Sequence, residues 1–239
     1  MVPKGTVKDL TFESKELEEI INMFIYFPAN FSSANKYALL IAQDGKDYLQ
    51  LGRIARFADE LIGQKEIENV IIVGIPYKNV KDRKRKYHPH GEQNEAYSRF
   101  LAHELVPFID AEYPTYGTRE KRTLIGDSLA ATISILTAVK YPKMFGKVIL
   151  QSPFVNEEVI DAVRNYPNPQ LLDVYHVIGK GETTVKTMKG TIEDFLTPNR
   201  KLSHVFKEKA FPYFYDEFSG EHTWKYWQPD LKRALKWMG

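Results

Sequence analysis

Gly126-Asp127-Ser128-Leu129-Ala130 joins an apolar run, Thr123-Leu124-Ile125, to a helix-like stretch from Leu129 to Lys140. A serine among small residues at a strand-to-helix switch is the setting of a nucleophile elbow, where a sharp turn lifts the hydroxyl toward an acyl carbonyl. The positions two before and two after the serine must be small, so that strand and helix can approach. Gly126 meets that demand fully, and Ala130 nearly, since glycine is usual there. The same residues also suit a plain helix N-cap. The rest of the chain must supply what a serine nucleophile needs.

A serine hydroxyl is a weak nucleophile at neutral pH and requires a general base oriented by a third group. Of the six histidines, His103 and His204 fall inside helical patterns and His176 falls mid-strand, positions that suit packing or surface. His88 and His90 flank Pro89 beside Glu92, a spacing too sparse to define a metal site. His222 follows the final strand directly in Phe218-Ser219-Gly220-Glu221-His222, so a loop carries it over the strand ends. For the acid, the strand Leu172–Ile178 leads into Gly179-Lys180-Gly181-Glu182-Thr183, and Glu182 is the first carboxylate beyond it. Glu182 would equally suit a helix N-terminus. Asp216 and Glu217, on the last strand, remain lesser candidates. The order Ser128, Glu182, His222 is serine, acid, histidine along the chain.

The tetrahedral intermediate of acyl transfer needs two backbone donors. One is the N–H of Leu129, immediately after the nucleophile. The other is expected after the strand Tyr37–Ala42, where Asp44-Gly45 turns the backbone inward and offers the Lys46 N–H. Asp44-Gly45 alone reads as an ordinary turn.

These residues need a scaffold that brings strand ends together. Antiparallel strands are expected at about Gly5–Phe12 and Ile20–Phe27, with a turn at Ser14-Lys15. Continuous apolar runs at Tyr37–Ala42 and Asn69–Ile75 read as strands buried on both faces. Further strands fall at Arg122–Ile125, Lys147–Leu150, Leu172–Ile178 and Pro212–Phe218. Helical periodicity covers Leu49–Ile62, with Leu51, Ile54, Ala55, Ala58, Leu61 and Ile62 on one face. Further helices are expected at Ala96–Ala111, Leu129–Lys140, Glu157–Asn165, around Thr184–Lys207, and at Pro229–Met238. Between them, Pro76–Gln93 reads as a polar loop. Alternating strands and helices predict a mostly parallel sheet with an antiparallel N-terminal edge and helices on both faces. Ligands of such sheets bind beyond the carboxyl ends of the strands.

Composition bounds the alternatives. The chain has 239 residues, 43% hydrophobic and 13% aromatic, with no repeat or Gly/Ser linker, and reads as a single domain over residues 1–239. A net charge of +2 gives no electrostatic case for nucleic acid or an anionic membrane. The basic run Lys81–Lys86 is expected to be a solvated surface. No apolar stretch is long enough to span a bilayer, and Met1-Val2-Pro3-Lys4-Gly5 lacks the core of a leader. The absence of cysteine rules out disulfides and thiolate chemistry. A cytoplasmic location is expected, with no cofactor or metal; the oligomeric state is left open.

Several segments together resemble the Putative esterase family of α/β-hydrolases, the group of esterase D and the enterochelin esterases. They are Ile25-Tyr26-Phe27-Pro28, Leu39–Gly45, Arg83 with Tyr87 and Pro89, and Glu104-Leu105-Val106-Pro107-Phe108-Ile109-Asp110. Gly220-Glu221-His222-Thr223-Trp224, with Trp227 and Leu231, completes the set. The resemblance implies an α/β-hydrolase fold, Ser128 as nucleophile, His222 as base, Glu182 in a place more often held by aspartate, and Lys46 in the oxyanion hole. Three departures stand out: Ala130 for the elbow glycine, Glu182 for aspartate, and Lys86 where an acid often precedes the tyrosine.

The expected activity is carboxylic-ester hydrolysis through an acyl-enzyme. Only about 30 residues separate Lys147–Leu150 from Glu182, which leaves no room for a large lid. Phe154, Trp224 and Trp227 are expected to wall an open site. Such a rim suits a bulky or siderophore-type ester and equally a short-chain one. Acyl transfer to an alcohol on the same residues, or a non-catalytic binding role, are the alternatives.

Overall fold

The computed structural model describes residues 2–187 and 190–239. The chain begins with β1 (Thr6–Ser14) and β2 (Glu19–Phe27), followed by β3 (Ala38–Gln43), α1 (Gly45–Gln50), α2 (Ile54–Gly63) and β4 (Val70–Ile75). Next come α3 (Val80–Tyr87) and α4 (Asn94–Arg99). A π-helical segment, Phe100–Leu105, continues α4 into α5 (Val106–Glu112). Then follow β5 (Arg122–Asp127), α6 (Leu129–Lys140), β6 (Lys147–Gln151), α7 (Glu157–Arg164) and β7 (Asp173–Gly179). A two-residue ribbon, β8 (Val185–Lys186) with β9 (Ile192–Glu193), precedes α8 (Leu196–Glu208), β10 (Tyr213–Phe218) and α9 (Trp224–Met238).

Eight strands form one sheet in the order β1-β2-β4-β3-β5-β6-β7-β10. The β1–β2 and β2–β4 pairs are antiparallel, and every pair from β4 to β10 is parallel. The two-residue period of the strands splits their side chains between two apolar layers. Leu39, Ile41, Ile71, Val73, Leu124, Val148 and Val174 face the layer built with α4 to α8. Ala38, Leu40, Ile72, Ile125, Ile149 and Tyr175 face α1, α2 and α9. Both faces are covered, which is why the central strands read as unbroken apolar runs rather than alternating ones. The expected α/β architecture, with its antiparallel edge, is what forms.

Four expectations are corrected. The run Leu49–Ile62 is two helices, broken at Leu51-Gly52-Arg53, where Arg53 takes φ 54° and Leu51 is 47% exposed instead of buried. Apolar spacing continues across the break because α1 and α2 both pack on the same side of the sheet. The basic run Lys81–Lys86 is not a solvated loop. It forms α3, and Asp82, Arg83 and Lys86 are buried in it by ion pairing. The helical expectation around Thr184–Lys207 gives way to the β8–β9 ribbon before α8; residues 188 and 189, like Met1, lie outside the described residues. The last helix starts at Trp224, not Pro229; Thr223 is its N-cap, and proline sits in the second turn, where it removes one backbone donor.

Candidate active site

Ser128 stands between the carboxyl end of β5 and the first residue of α6, with φ 53° and ψ −125°. A residue with a Cβ reaches positive φ only against steric resistance, so the turn is strained and its surroundings must hold it. The Ser128 N–H donates to Gln151 O at 3.0 Å, and its carbonyl accepts from Phe154 N at 3.2 Å. Gly126 permits the close approach of strand and helix. A Cβ there would lie 2.2 Å from the Ala130 carbonyl carbon and 2.3 Å from its oxygen. The Ala130 methyl is itself fully buried in the apolar layer, so alanine is accommodated at that end of the elbow.

Glu182 and His222 come from the loops beyond β7 and β10, neighbouring strands whose register runs to Phe218 opposite Gly179. Glu182 has no exposed surface, and its Oε2 lies 2.6 Å from His222 Nδ1. Its other oxygen, Oε1, accepts from Ser152 Oγ at 2.6 Å and from the Gly179 N–H at 2.8 Å. The Glu182 carbonyl accepts from Phe195 N and Leu196 N, which anchors the loop. The imidazole of His222 packs between Phe195, 4.4 Å between ring centres, and Trp227, 4.8 Å and edge-on. Of the three candidates, the acid and base are thus bonded. Among the described residues no hydrogen bond joins the Ser128 hydroxyl to the imidazole. In unliganded sites such bonds are often long and tighten only when substrate binds.

The other carboxylates are engaged elsewhere. Asp216 pairs with Arg233 at 2.6 Å and Glu217 with Arg200 at 2.8 Å. His176 is buried between Tyr213 and Asn199, 2.8 Å and 2.7 Å from its ring nitrogens, and His103 packs edge-on against Tyr141. His90 pairs with Glu158, and His88 packs on Phe154. Among the described residues no cluster of three or more His, Cys, Asp or Glu could hold a metal.

The Lys46 and Leu129 amides lie in the first turns of α1 and α6 and have no hydrogen-bond partner among the described residues. Asp44, which precedes that turn, takes φ 54° and is fully buried. A Cβ on Gly45 would fall 2.3 Å from the backbone of Gly74, so only glycine lets α1 start so close to β4. Arg83 holds this loop: its Nε and Nη2 reach Asp44 Oδ2 at 2.8 Å and 2.6 Å, and Nη2 also donates to the Asp127 carbonyl at 3.3 Å. One guanidinium therefore ties the loop after β3 to the elbow after β5. Burial lowers the Arg83 pKa, but the adjacent Asp44 carboxylate more than offsets it, and the net shift is upward. Burial, reinforced by the nearby Asp44 charge, raises the Asp127 carboxyl well above the usual range. Nothing in the sequence around Asp44 marks a role beyond the turn. Lys86, the departure from the family pattern, is neutralised by Glu19 and Asp82.

Of the aromatic residues expected to wall the site, Phe154 and Trp224 are half-buried, and their rings extend the surface. Phe154 packs toward Phe195 at 6.1 Å, and Trp224 stands edge-on to Tyr48 at 4.8 Å. Trp227 is only 4% exposed and lies behind His222, leaving little of its ring to meet a ligand. Ser152 and Phe195 also belong to this neighbourhood. Neither carries a sequence signal beyond following an apolar strand or preceding a helix.

A mostly parallel sheet with a strained serine turn after a central strand, and an acid–imidazole pair beyond the next strands, is the α/β-hydrolase arrangement. A family model described as Putative esterase matches residues 14–238, and the chain belongs to that family. A Bacillus subtilis (strain 168) protein, the uncharacterized YjcH, is 51% identical over the full length of both chains. An acetyl esterase of Caldicellulosiruptor saccharolyticus is 24% identical over 80% of this chain and 82% of its own. A ferulic acid esterase superposes with a TM-score of 0.81 at 17% identity, covering 98% of each chain. The enterobactin esterase of Shigella flexneri superposes with a TM-score of 0.82 at 15% identity, over 99% of this chain and 61% of that one. The chain is an esterase, and hydrolysis of a small-molecule carboxylic ester is the activity its family membership supports. Among the described residues no helix is long and apolar enough to cross a membrane.

Proposed function

We propose that Ser128, His222 and Glu182 form the catalytic triad of this esterase. The observation that carries the reading is the 2.6 Å Glu182–His222 bond at the same sheet edge as the strained Ser128 turn. His222 takes the proton of Ser128 as its oxygen attacks the ester carbonyl. The Lys46 and Leu129 N–H groups receive the oxyanion, each such donor contributing about 2.7–4 kcal/mol of transition-state stabilisation. His222 then gives its proton to the leaving alcohol, and activates the water that releases the acyl group from Ser128.

The substrate is proposed to be an ester with a bulky or aromatic part, of which a siderophore-type lactone is one example. A run of ring contacts from His88 through Phe154 and Phe195 to His222 supports this, as does the half-buried Trp224 against Tyr48. Two structural neighbours are named as a ferulic acid esterase and an enterobactin esterase, and a substrate with an aromatic part is in keeping with those names. Lys46 is exposed beside the proposed hole.

A panel running from p-nitrophenyl acetate to aryl and catechol-type esters tests the reading, with Ser128→Ala run beside the native chain. Native protein is expected to hydrolyse esters with an aromatic acyl group with a higher kcat/KM than p-nitrophenyl acetate, and a serine-directed phosphonate to label Ser128. Ser128→Ala should lower kcat by on the order of 10⁶-fold, as in a fully coupled triad. Native turnover in Ser128→Ala would refute the assignment. Added alcohols that divert the acyl group from water would instead identify acyl transfer.

A further inference from the structure

Behind His222 lies a line of buried hydrogen bonds whose direction is fixed by chemistry. Trp227 Nε1 is 2.9 Å from Ser152 Oγ, and Ser152 Oγ is 2.6 Å from Glu182 Oε1. The indole N–H only donates. Ser152 Oγ therefore accepts from Trp227, and its own proton must be directed elsewhere. Among the described residues the one acceptor within reach of that hydroxyl is Glu182 Oε1. The same oxygen already accepts the Gly179 N–H at 2.8 Å. With two donors aimed at it in a fully buried site, Oε1 accepts from both, and the carboxyl group is held in one rotamer.

The remaining oxygen, Oε2, faces His222 Nδ1 at 2.6 Å. A carboxylate accepts only, so the imidazole proton sits on Nδ1 and the lone pair of Nε2 is left for the nucleophile's proton. The backbone points the same way. Ser152 takes φ 50°, a conformation that resists a Cβ, and is held there by its N–H on the Val177 carbonyl at 2.8 Å. Strain kept at a residue that directs a hydroxyl to the acid is an outlier with a use. Glutamate also has one more rotatable bond than aspartate, and a longer acid needs a further anchor to hold one rotamer.

We propose that Ser152, oriented by Trp227, is a positioning residue that fixes the rotamer of Glu182 and, through it, the orientation and tautomer of His222. This rests on the esterase reading of His222 as the base. It also moves Trp227 from the substrate wall to the support of the acid.

Ser152→Gly is the test, because glycine adopts φ 50° without strain and the fold is retained while the hydroxyl is lost. Loss of one hydrogen bond to a charged group should lower kcat roughly 10- to 100-fold, with KM within about twofold of native. Proton NMR supplies a readout independent of turnover: the far-downfield signal of the proton shared by His222 Nδ1 and Glu182 should move further downfield, because a carboxylate with fewer donors is a stronger acceptor. Trp227→Phe should give a smaller loss of kcat, and the double variant should be no slower than Ser152→Gly, since the indole N–H acts only through that hydroxyl. Native kcat in Ser152→Gly, an unmoved proton signal, or full additivity of the two losses each overturns the proposal. Native turnover in Ser128→Ala would instead remove the triad reading and leave the proton signal to report on the buried hydrogen bonds alone.

Discussion

Arg83→Met tests whether the loop after β3 is held in place by charge. The Arg83 and Asp44 side chains are 6% and 1% exposed, and the pair is bridged at 2.6 Å. Methionine fills much of the same volume but strands the buried Asp44 carboxylate near Asp127, which already lacks a partner for its Oδ1. Breaking a buried pair from one side destabilises by about 3–5 kcal/mol, because the remaining charge cannot be solvated. Against a total stability of roughly 5–15 kcal/mol, that is a large fraction. Asp44→Asn added to Arg83→Met removes the stranded charge, and should recover at least about 2 kcal/mol of the loss. Turnover should behave differently. The guanidinium also donates to the Asp127 carbonyl, so Arg83→Met and the double variant both lose the tie between the Lys46 turn and the elbow. Urea unfolding followed by tryptophan fluorescence gives the stabilities, and hydrolysis of an aryl ester gives kcat. The expected pattern is a double variant that regains stability without regaining kcat. A loss below about 1 kcal/mol in Arg83→Met, within the range of exposed pairs, would refute the argument. So would a double variant with native turnover.

Burial pushes the His176 imidazole down to about 4 from 6.5. The unfolded chain then takes up this proton first as pH falls, so the contribution is fully present above pH 6.5 and is lost as pH falls toward 4. It amounts to about 3 kcal/mol at 1.36 kcal/mol per pH unit. Urea midpoints at pH 7 and pH 5 should show this decline in the native chain and a shallower one in His176→Gln; equal slopes would refute it. Gly126→Ala sets a Cβ 2.2 Å from the Ala130 backbone, and should cost about 1–3 kcal/mol as an overpacked contact. Thermal unfolding would register that loss, and phosphonate labelling at Ser128 should slow as the elbow shifts; an unchanged labelling rate would show that the turn has slack.

How much of this was legible in the sequence depends on the distance between partners. The elbow was readable because Gly126, Ser128 and the strand and helix around them are consecutive. His222 was readable because it follows the last strand, and Glu182 because a glycine-rich turn presents it. Arg83 was not, since five of the six residues in Lys81–Lys86 are basic and such a run reads as a wet surface. Its burial depends on Asp44, 39 residues earlier, just as that of Lys86 depends on Glu19, 67 residues earlier. Ser152 was silent for the same reason: its hydroxyl meets Glu182 30 residues later and Trp227 75 residues later. The single helix expected at Leu49–Ile62 failed differently. Period alone cannot detect one residue, Arg53, in the left-handed region when both flanking helices bury the same side.

The two sides of the site are built to different standards of fixity, and this bears on specificity. The side proposed to handle the proton is buried and held by several bonds: Glu182 has no exposed surface, each of its oxygens is bonded, and its partners Ser152 and Trp227 are buried. The proposed substrate side includes two half-buried rings, Phe154 and Trp224, and the exposed Lys46. Rigid acid–base groups would move the same proton whatever ester supplies the carbonyl. Discrimination among substrates must then come from contacts on the open rim, where an added methylene is worth only about 1–3 kcal/mol. Exchanging Phe154 or Trp224 should therefore reorder preferences within an ester panel while leaving the acid and base untouched. Exchanging Ser152 should slow all esters alike.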